Sequence, residues 1–191
     1  MHPEIISNNP GNCPKCGMNL VIKNSNHIGL VKYLPLIIII GMIFLAAVIL
    51  GFKNYLTLHF FISDIIYYFM TGFFLVFSGF KLIDLRGFAR GYADYDLLAK
   101  HVFAYGYVYP FIELFFGLVM LFGLVTPWLL WSEFAIMAFS GIGVVIKLLK
   151  QEPFQCVCLG TFLKAPLTNI TLIEDFGMAG LALAMLLIGF K

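Results

Sequence analysis

The 191-residue chain is 61% apolar and only 12% charged, against about 25% charged residues in an average soluble domain. That composition excludes an ordinary soluble globular protein. A formal net charge of +2, with no basic stripe, excludes a nucleic-acid binder. What remains is an integral membrane protein whose first partner is the lipid bilayer. Its 21 Phe and 9 Tyr supply rings suited to anchoring helices at headgroup level.

Residues 1–29 are polar and too short to build an apolar core, so they need a staple or stay loose. The first apolar run starts late and has no small-residue cleavage pattern behind it, so a cleaved signal peptide is not expected. Five segments then meet the length of about 20 residues needed to span the hydrocarbon layer. They fall near Tyr33–Gly51, Leu58–Phe80, Val102–Leu124, Pro127–Leu148 and Thr171–Phe190. The predicted fold is therefore all-α: a bundle of five transmembrane helices carrying a short Cys-containing knuckle. Pro127 suits the first turn of the fourth span, where its missing N–H costs nothing. Thr171-Leu172-Ile173-Glu174 has the form of a capping box opening the fifth. Pro110 falls inside the third span, where a neighbouring helix must satisfy the freed carbonyl. Ser140-Gly141-Ile142-Gly143 and Gly177-Met178-Ala179-Gly180 mark expected close helix contacts.

With alternating loops, ten of the twelve Lys and Arg fall on one side: Lys15, Lys23, Lys32, Lys81, Arg86, Arg90, Lys100, Lys147, Lys150 and Lys164. Only Lys53 and Lys191 fall on the other. Positive charge marks the cytoplasmic face. The expected topology is thus a multi-pass protein of the bacterial inner (plasma) membrane, amino terminus cytoplasmic and carboxyl terminus outside. Between the second and third spans, Leu82, Leu85, Phe88, Ala89, Tyr92, Tyr95 and Leu98 alternate with Lys81, Asp84, Arg86, Arg90, Asp94 and Asp96. This pattern predicts an amphipathic helix lying at the surface as a connector.

The four cysteines form two tight pairs. Cys13-Pro14-Lys15-Cys16-Gly17-Met18 is a knuckle whose two thiolates can share one soft or borderline cation such as Cu(I) or Zn(II). Met18 adds a thioether and His2 an imidazole. In Cys156-Val157-Cys158 alternate residues point to opposite sides, so an internal disulfide would be strained and easily reduced. Chelation of a soft metal or exchange with another thiol suits that pair better. The topology puts both pairs on the cytoplasmic face. Five acids fall within or beside the spans: Asp64, Glu113, Glu133, Glu174 and Asp175. Carboxyls there face the bundle interior, are paired, or are protonated. They read either as a proton or cation path or as hydrogen-bonded packing residues.

Two resemblances follow from these residues. Met1-His2-Pro3-Glu4 with Pro10-Gly11-Asn12-Cys13-Pro14-Lys15-Cys16-Gly17-Met18-Asn19-Leu20 resembles the heavy-metal-binding domain of copper and silver transport proteins. Gly79-Phe80-Lys81-Leu82-Ile83-Asp84, Gly87-Phe88-Ala89, Tyr95-Asp96-Leu97-Leu98-Ala99, Tyr105, Tyr107, Tyr109-Pro110, Glu113 and Cys156-Val157-Cys158-Leu159-Gly160 resemble the MauE branch of MauE/DoxX-like membrane proteins. That resemblance implies a four-helix membrane core with the first span as an added tether. The division is then 1–29 for the metal-binding segment and linker, 30–53 for the tethering helix, and 54–191 for the MauE/DoxX-like domain. It also implies links to methylamine utilisation and thiol redox.

Three readings stand side by side. In the first, Cys13, Cys16, Cys156 and Cys158, with His2 and Met18 as auxiliary ligands, handle a soft metal, copper foremost, with a metal-transport partner. In the second, Cys156 and Cys158 are redox thiols that exchange with a partner protein, as a MauE-type maturation factor. In the third, the chain is a non-catalytic membrane subunit with a metal-sensing head. There is no nucleotide loop, zinc-protease pattern or nucleophile–base constellation, so nothing in the residues demands enzymatic turnover.

Overall fold

A computed structural model describes residues 34–58, 61–94, 96–149 and 168–189. His59 and Tyr95 lie outside the described residues, as does the whole amino-terminal segment. Among the described residues the elements are six helices and no strand: α1 (Leu34–Leu58), α2 (Phe61–Ile83), α3 (Leu85–Ala93), α4 (Phe103–Leu121), α5 (Pro127–Leu149) and α6 (Thr168–Ile188). All but α3 are long and apolar enough to cross a bilayer, with spans at Leu34–Lys53, Ile62–Ile83, Phe103–Leu121, Pro127–Leu149 and Thr171–Ile188. The protein is an all-α, multi-pass membrane protein, as its hydropathy predicts.

Helical periodicity explains what faces inward. On α2 the buried residues Met70, Phe74, Phe77 and Lys81 recur at i, i+4, i+7 and i+11, one face of a 3.6-residue helix. The same stripe is Tyr109, Glu113, Phe116 and Met120 on α4, and Leu130, Glu133, Met137, Ser140 and Val144 on α5. On α6 it is Thr171, Asp175, Met178, Ala182 and Met185. Each stripe thus contains one Lys, Asp or Glu among mostly apolar side chains. Met42, Leu45, Trp128 and Leu187 are exposed, as outward-facing side chains in lipid should be.

Main packing partners are α1 with α2, α2 with α4, α3 with α4, and α5 with α6. Small residues set the closest approaches. A methyl group added at Gly117 would meet Leu75 at 3.0 Å, one at Gly141 the Phe176 ring at 2.7 Å, and one at Gly106 the Ala89 backbone at 3.2 Å. The expectation for Ser140–Gly143 holds on this count. Gly177 and Gly180 are exposed, with none of the described residues packed beside them, so in that stretch Met178 and Ala179 face the core instead. The Tyr67 hydroxyl donates to the Met120 carbonyl, pinning α2 to the end of α4.

The α4–α5 turn is built by capping. Gly123 has φ +72°, its N–H donates to Met120 O at 2.8 Å, and Leu124 N–H donates to Val119 O at 3.0 Å. That pair of bonds, with glycine in the left-handed region, ends a helix. Thr126 Oγ1 then accepts from Leu129 N–H at 3.3 Å, and Pro127 takes the first helical position.

Three expectations are corrected. The last helix does not open at the Thr171 capping box, because α6 already begins at Thr168 and Glu174 turns to a cation instead. Lys81 is no loop residue: it lies in the last turn of α2 and is 4% exposed. The tally of Lys and Arg on the side expected to be cytoplasmic therefore falls from ten to nine, against two on the other. The α2–α4 connection is amphipathic as predicted, with Arg86 and Arg90 exposed. Yet α3 is no surface connector, since Phe88, Ala89 and Tyr92 are buried against the bundle. Asp84 starts it, accepting from Gly87 N–H at 3.0 Å, as N-cap residues do.

Candidate functional site

The stripes of α2, α4, α5 and α6 converge on a chamber of polar side chains roofed by α3. At its centre is the Lys81 ammonium. It donates to both oxygens of Glu113, at 2.5 Å and 2.7 Å, and to Glu174 Oε1 at 3.4 Å. Its Nζ also lies over two rings, 5.5 Å from the centre of Phe88 and 5.4 Å from that of Tyr109. A cation over desolvated ring faces gains further stabilisation. Phe88, Tyr92 and Tyr109 stack into one wall, with Tyr92 and Tyr109 centroids 4.6 Å apart.

Ser140 links the helices on the opposite side. It accepts from the Tyr92 hydroxyl at 3.3 Å and lines the same cavity as Asp175. Burial, reinforced by the neighbouring Tyr109 and Asp96, pushes the Tyr92 hydroxyl well above the usual phenol range. Tyr92 therefore acts as a neutral donor. Asp96, fully buried just after α3, fixes the turn by accepting from Leu98 N–H at 2.9 Å and Ala99 N–H at 2.7 Å.

Between Lys81, Phe88, Tyr92, Tyr109, Ser140, Thr171, Glu174 and Asp175 lies a cavity of about 10 Å³. That is about the volume needed to hold one water. Glu174 Oε2 and Asp175 Oδ2 are buried and have no hydrogen-bond partner among the described residues. On its other side Glu174 borders an apolar groove of about 320 Å³ between α1, α2 and α6, walled by Phe73, Phe77, Ile173 and Met178 among others. Glu174 is thus the partition between a polar chamber and a lipid-like groove.

Of the five acids singled out from sequence, the structure brings Glu113, Glu174 and Asp175 together around Lys81. Glu133 is fully buried on α5 outside this group, with neither oxygen hydrogen-bonded among the described residues. Asp64 lies in the first turn of α2. His101 is exposed, with Nδ1 2.9 Å from Leu97 O. The predicted metal ligands Cys13, Cys16, Cys156, Cys158, His2 and Met18 lie outside the described residues. Among the described residues no three His, Cys, Asp or Glu side chains are arranged to hold a metal ion.

Sequence reading missed Lys81 as the partner of these acids. The available signal was its position on the Met70–Phe74–Phe77 stripe, which fixes its side chain inward whatever the hydropathy at the helix end. It missed Tyr92 and Phe88 as chamber walls because an amphipathic helix after a span reads equally well as lying on lipid or on protein.

Comparison with known proteins divides the chain in two. The family described as Heavy metal binding domain matches residues 1–23, and the family described as Methylamine utilisation protein MauE matches residues 54–188. No curated protein and no solved structure matches. The MauE match takes in α2 to α6, and with them every residue of the Lys81 chamber. With more than half of its length so matched, and with a metal-binding head ahead of five membrane-spanning helices, the chain belongs to the MauE family.

Proposed function

We propose that the protein handles a soft metal at the bacterial inner membrane, copper foremost, with Cys13 and Cys16 as the primary ligands. The observation that carries this reading is the joining, in one chain, of a heavy-metal-binding segment over 1–23 to a MauE membrane domain that holds a second thiol pair, Cys156 and Cys158. The donor set suits the ion. Two thiolates, a thioether at Met18 and an imidazole at His2 are soft or borderline ligands, matched to Cu(I) and, less selectively, to Zn(II). Such a metal would neutralise the thiolates and hold the segment in one conformation, and Cys156 and Cys158 would share it or receive it. The excess of Lys and Arg on one side of the spans supports a cytoplasmic location for both pairs.

Metal content of the purified protein tests this. Cys13→Ser with Cys16→Ser abolishes bound copper, and Cys156→Ser with Cys158→Ser lowers it. Unchanged content in the second variant sinks the shared site, and unchanged content in the first sinks the reading altogether.

The MauE match favours a second reading, a maturation factor linked to methylamine utilisation in which Cys156 and Cys158 exchange with a partner's thiols. Trapping of a mixed disulfide by a single-Cys variant, with Cys158 reached by impermeant thiol reagents from the outside, would select it over the first.

A further inference from the structure

We propose that the chamber around Lys81 is a proton-binding site, in which Lys81 and Glu113 stand as the ion pair while Glu174 and Asp175 each hold an exchangeable proton against the cavity. The inference is independent of the metal reading, since it uses only residues of α2 to α6.

Charge counting leads to it. One ammonium and three carboxyls share the chamber, and all are buried: Lys81, Glu113 and Asp175 are 4%, 3% and 5% exposed, and the Glu174 side chain 7%. The other groups facing it add no positive charge. They are Tyr92 on α3, Tyr105 and Tyr109 on α4, Ser140 on α5 and Thr171 on α6, with Asp96 beyond Tyr92. Arg86 and Arg90 on α3 are exposed, away from the chamber. One lysine neutralises one carboxylate, and the buried surroundings of the chamber supply no solvent to stabilise two more.

Geometry says which carboxylate is charged. Glu113 has both oxygens on the ammonium, at 2.5 Å and 2.7 Å, whereas Glu174 touches it through one oxygen at 3.4 Å. A doubly bonded, short contact belongs to the ion pair. Glu174 and Asp175 each keep one buried oxygen without a partner among the described residues, and both residues line the same water-sized cavity. An unpartnered carboxylate oxygen in such a place is costly. A protonated oxygen donating to a single cavity water is satisfied, because a water takes two to four partners. A divalent metal in place of the protons is not supported by the arrangement of acids.

Infrared spectra of the protein in lipid nanodiscs at neutral pH test the proposal. The carbonyl stretch of protonated carboxyl groups, shifted on transfer to D₂O, is expected to lose one component in Glu174→Gln and another in Asp175→Asn. Lys81→Met is expected to add one, from Glu113. Wild-type intensity in both α6 variants overturns the proposal. A second measurement needs no variant. An apolar carbodiimide, which attacks protonated carboxyls, can approach Glu174 through the adjoining groove; mapping of the modified peptides should find it on Glu174, falling as pH rises. Labelling of Glu113 in preference to the α6 acids, or labelling indifferent to pH, overturns the assignment.

Discussion

Replacing Lys81 with Met keeps the length of the side chain and removes the charge at the centre of the chamber. Breaking a buried ion pair by deleting one partner costs about 3–5 kcal/mol, because the other charge is left without compensation. Glu113→Gln removes the other half and should cost a similar amount, leaving the ammonium a neutral amide oxygen and the 3.4 Å contact to Glu174. In the double variant neither charge is stranded, so its loss should fall well short of the sum. Contacting pairs typically couple by about 0.5–3 kcal/mol, and the bidentate contact, 2.5 Å at its shorter bond, places this pair at the upper end. Reversible unfolding in mixed detergent micelles, followed by far-ultraviolet circular dichroism, measures the three losses. Additivity of the two single variants within about 0.5 kcal/mol would refute the pairing.

Other consequences are open to measurement. Gly106→Val sets a branched side chain against the Ala89 backbone, 3.2 Å from the first added carbon. It should cost about 1–3 kcal/mol, as overpacking does, and raise hydrogen exchange in α3 while leaving α5 unchanged. Asp84→Ala removes the α3 cap and should lower stability by about 0.5–2 kcal/mol, visible as a lower melting temperature. Because folding raises the Tyr92 hydroxyl above its ordinary value near 10, its contribution is intact below that pH. It is lost as pH climbs from there towards the folded-state value, by up to about 1.4 kcal/mol per pH unit. Tyr92→Phe should make the alkaline decline in unfolding free energy shallower; an unaltered slope would show that Tyr92 ionises equally in both states.

The spans were legible because lipid imposes a length and a composition, and the turn at Gly123–Pro127 carries its own stop and start chemistry. The inward orientation of Glu113 and Asp175 was legible too, since charge in a bilayer has nowhere else to go. Their common partner was not. Lys81 follows an apolar run and precedes Asp84 and Arg86, so it reads as the first residue of a charged loop until the helix is continued and its angle counted. Nor could hydropathy tell that α3 packs on Gly106 rather than on lipid, because the decisive fact is a missing side chain on a different helix. The proposed metal ligands are a separate matter: Cys13, Cys16, Cys156 and Cys158 lie outside the described residues, and their spacing in the sequence is what the proposal rests on.

The lysine–glutamate contact also bears on how the chain enters the membrane. A charged residue near the centre of a span costs about 3 kcal/mol on insertion scales, and Glu113 sits near the middle of α4 with Lys81 as its counterion on α2. Glu113 makes α4 poorly suited to waiting alone in lipid, whereas Lys81, in the last turn of α2, can reach the interface until its partner arrives. The short α3 lies between them in the chain and stacks Phe88 against Tyr109, so the connection itself packs on α4. The cost of failing to join the two helices therefore falls on α4, whose Glu113 would be left in the span without its counterion.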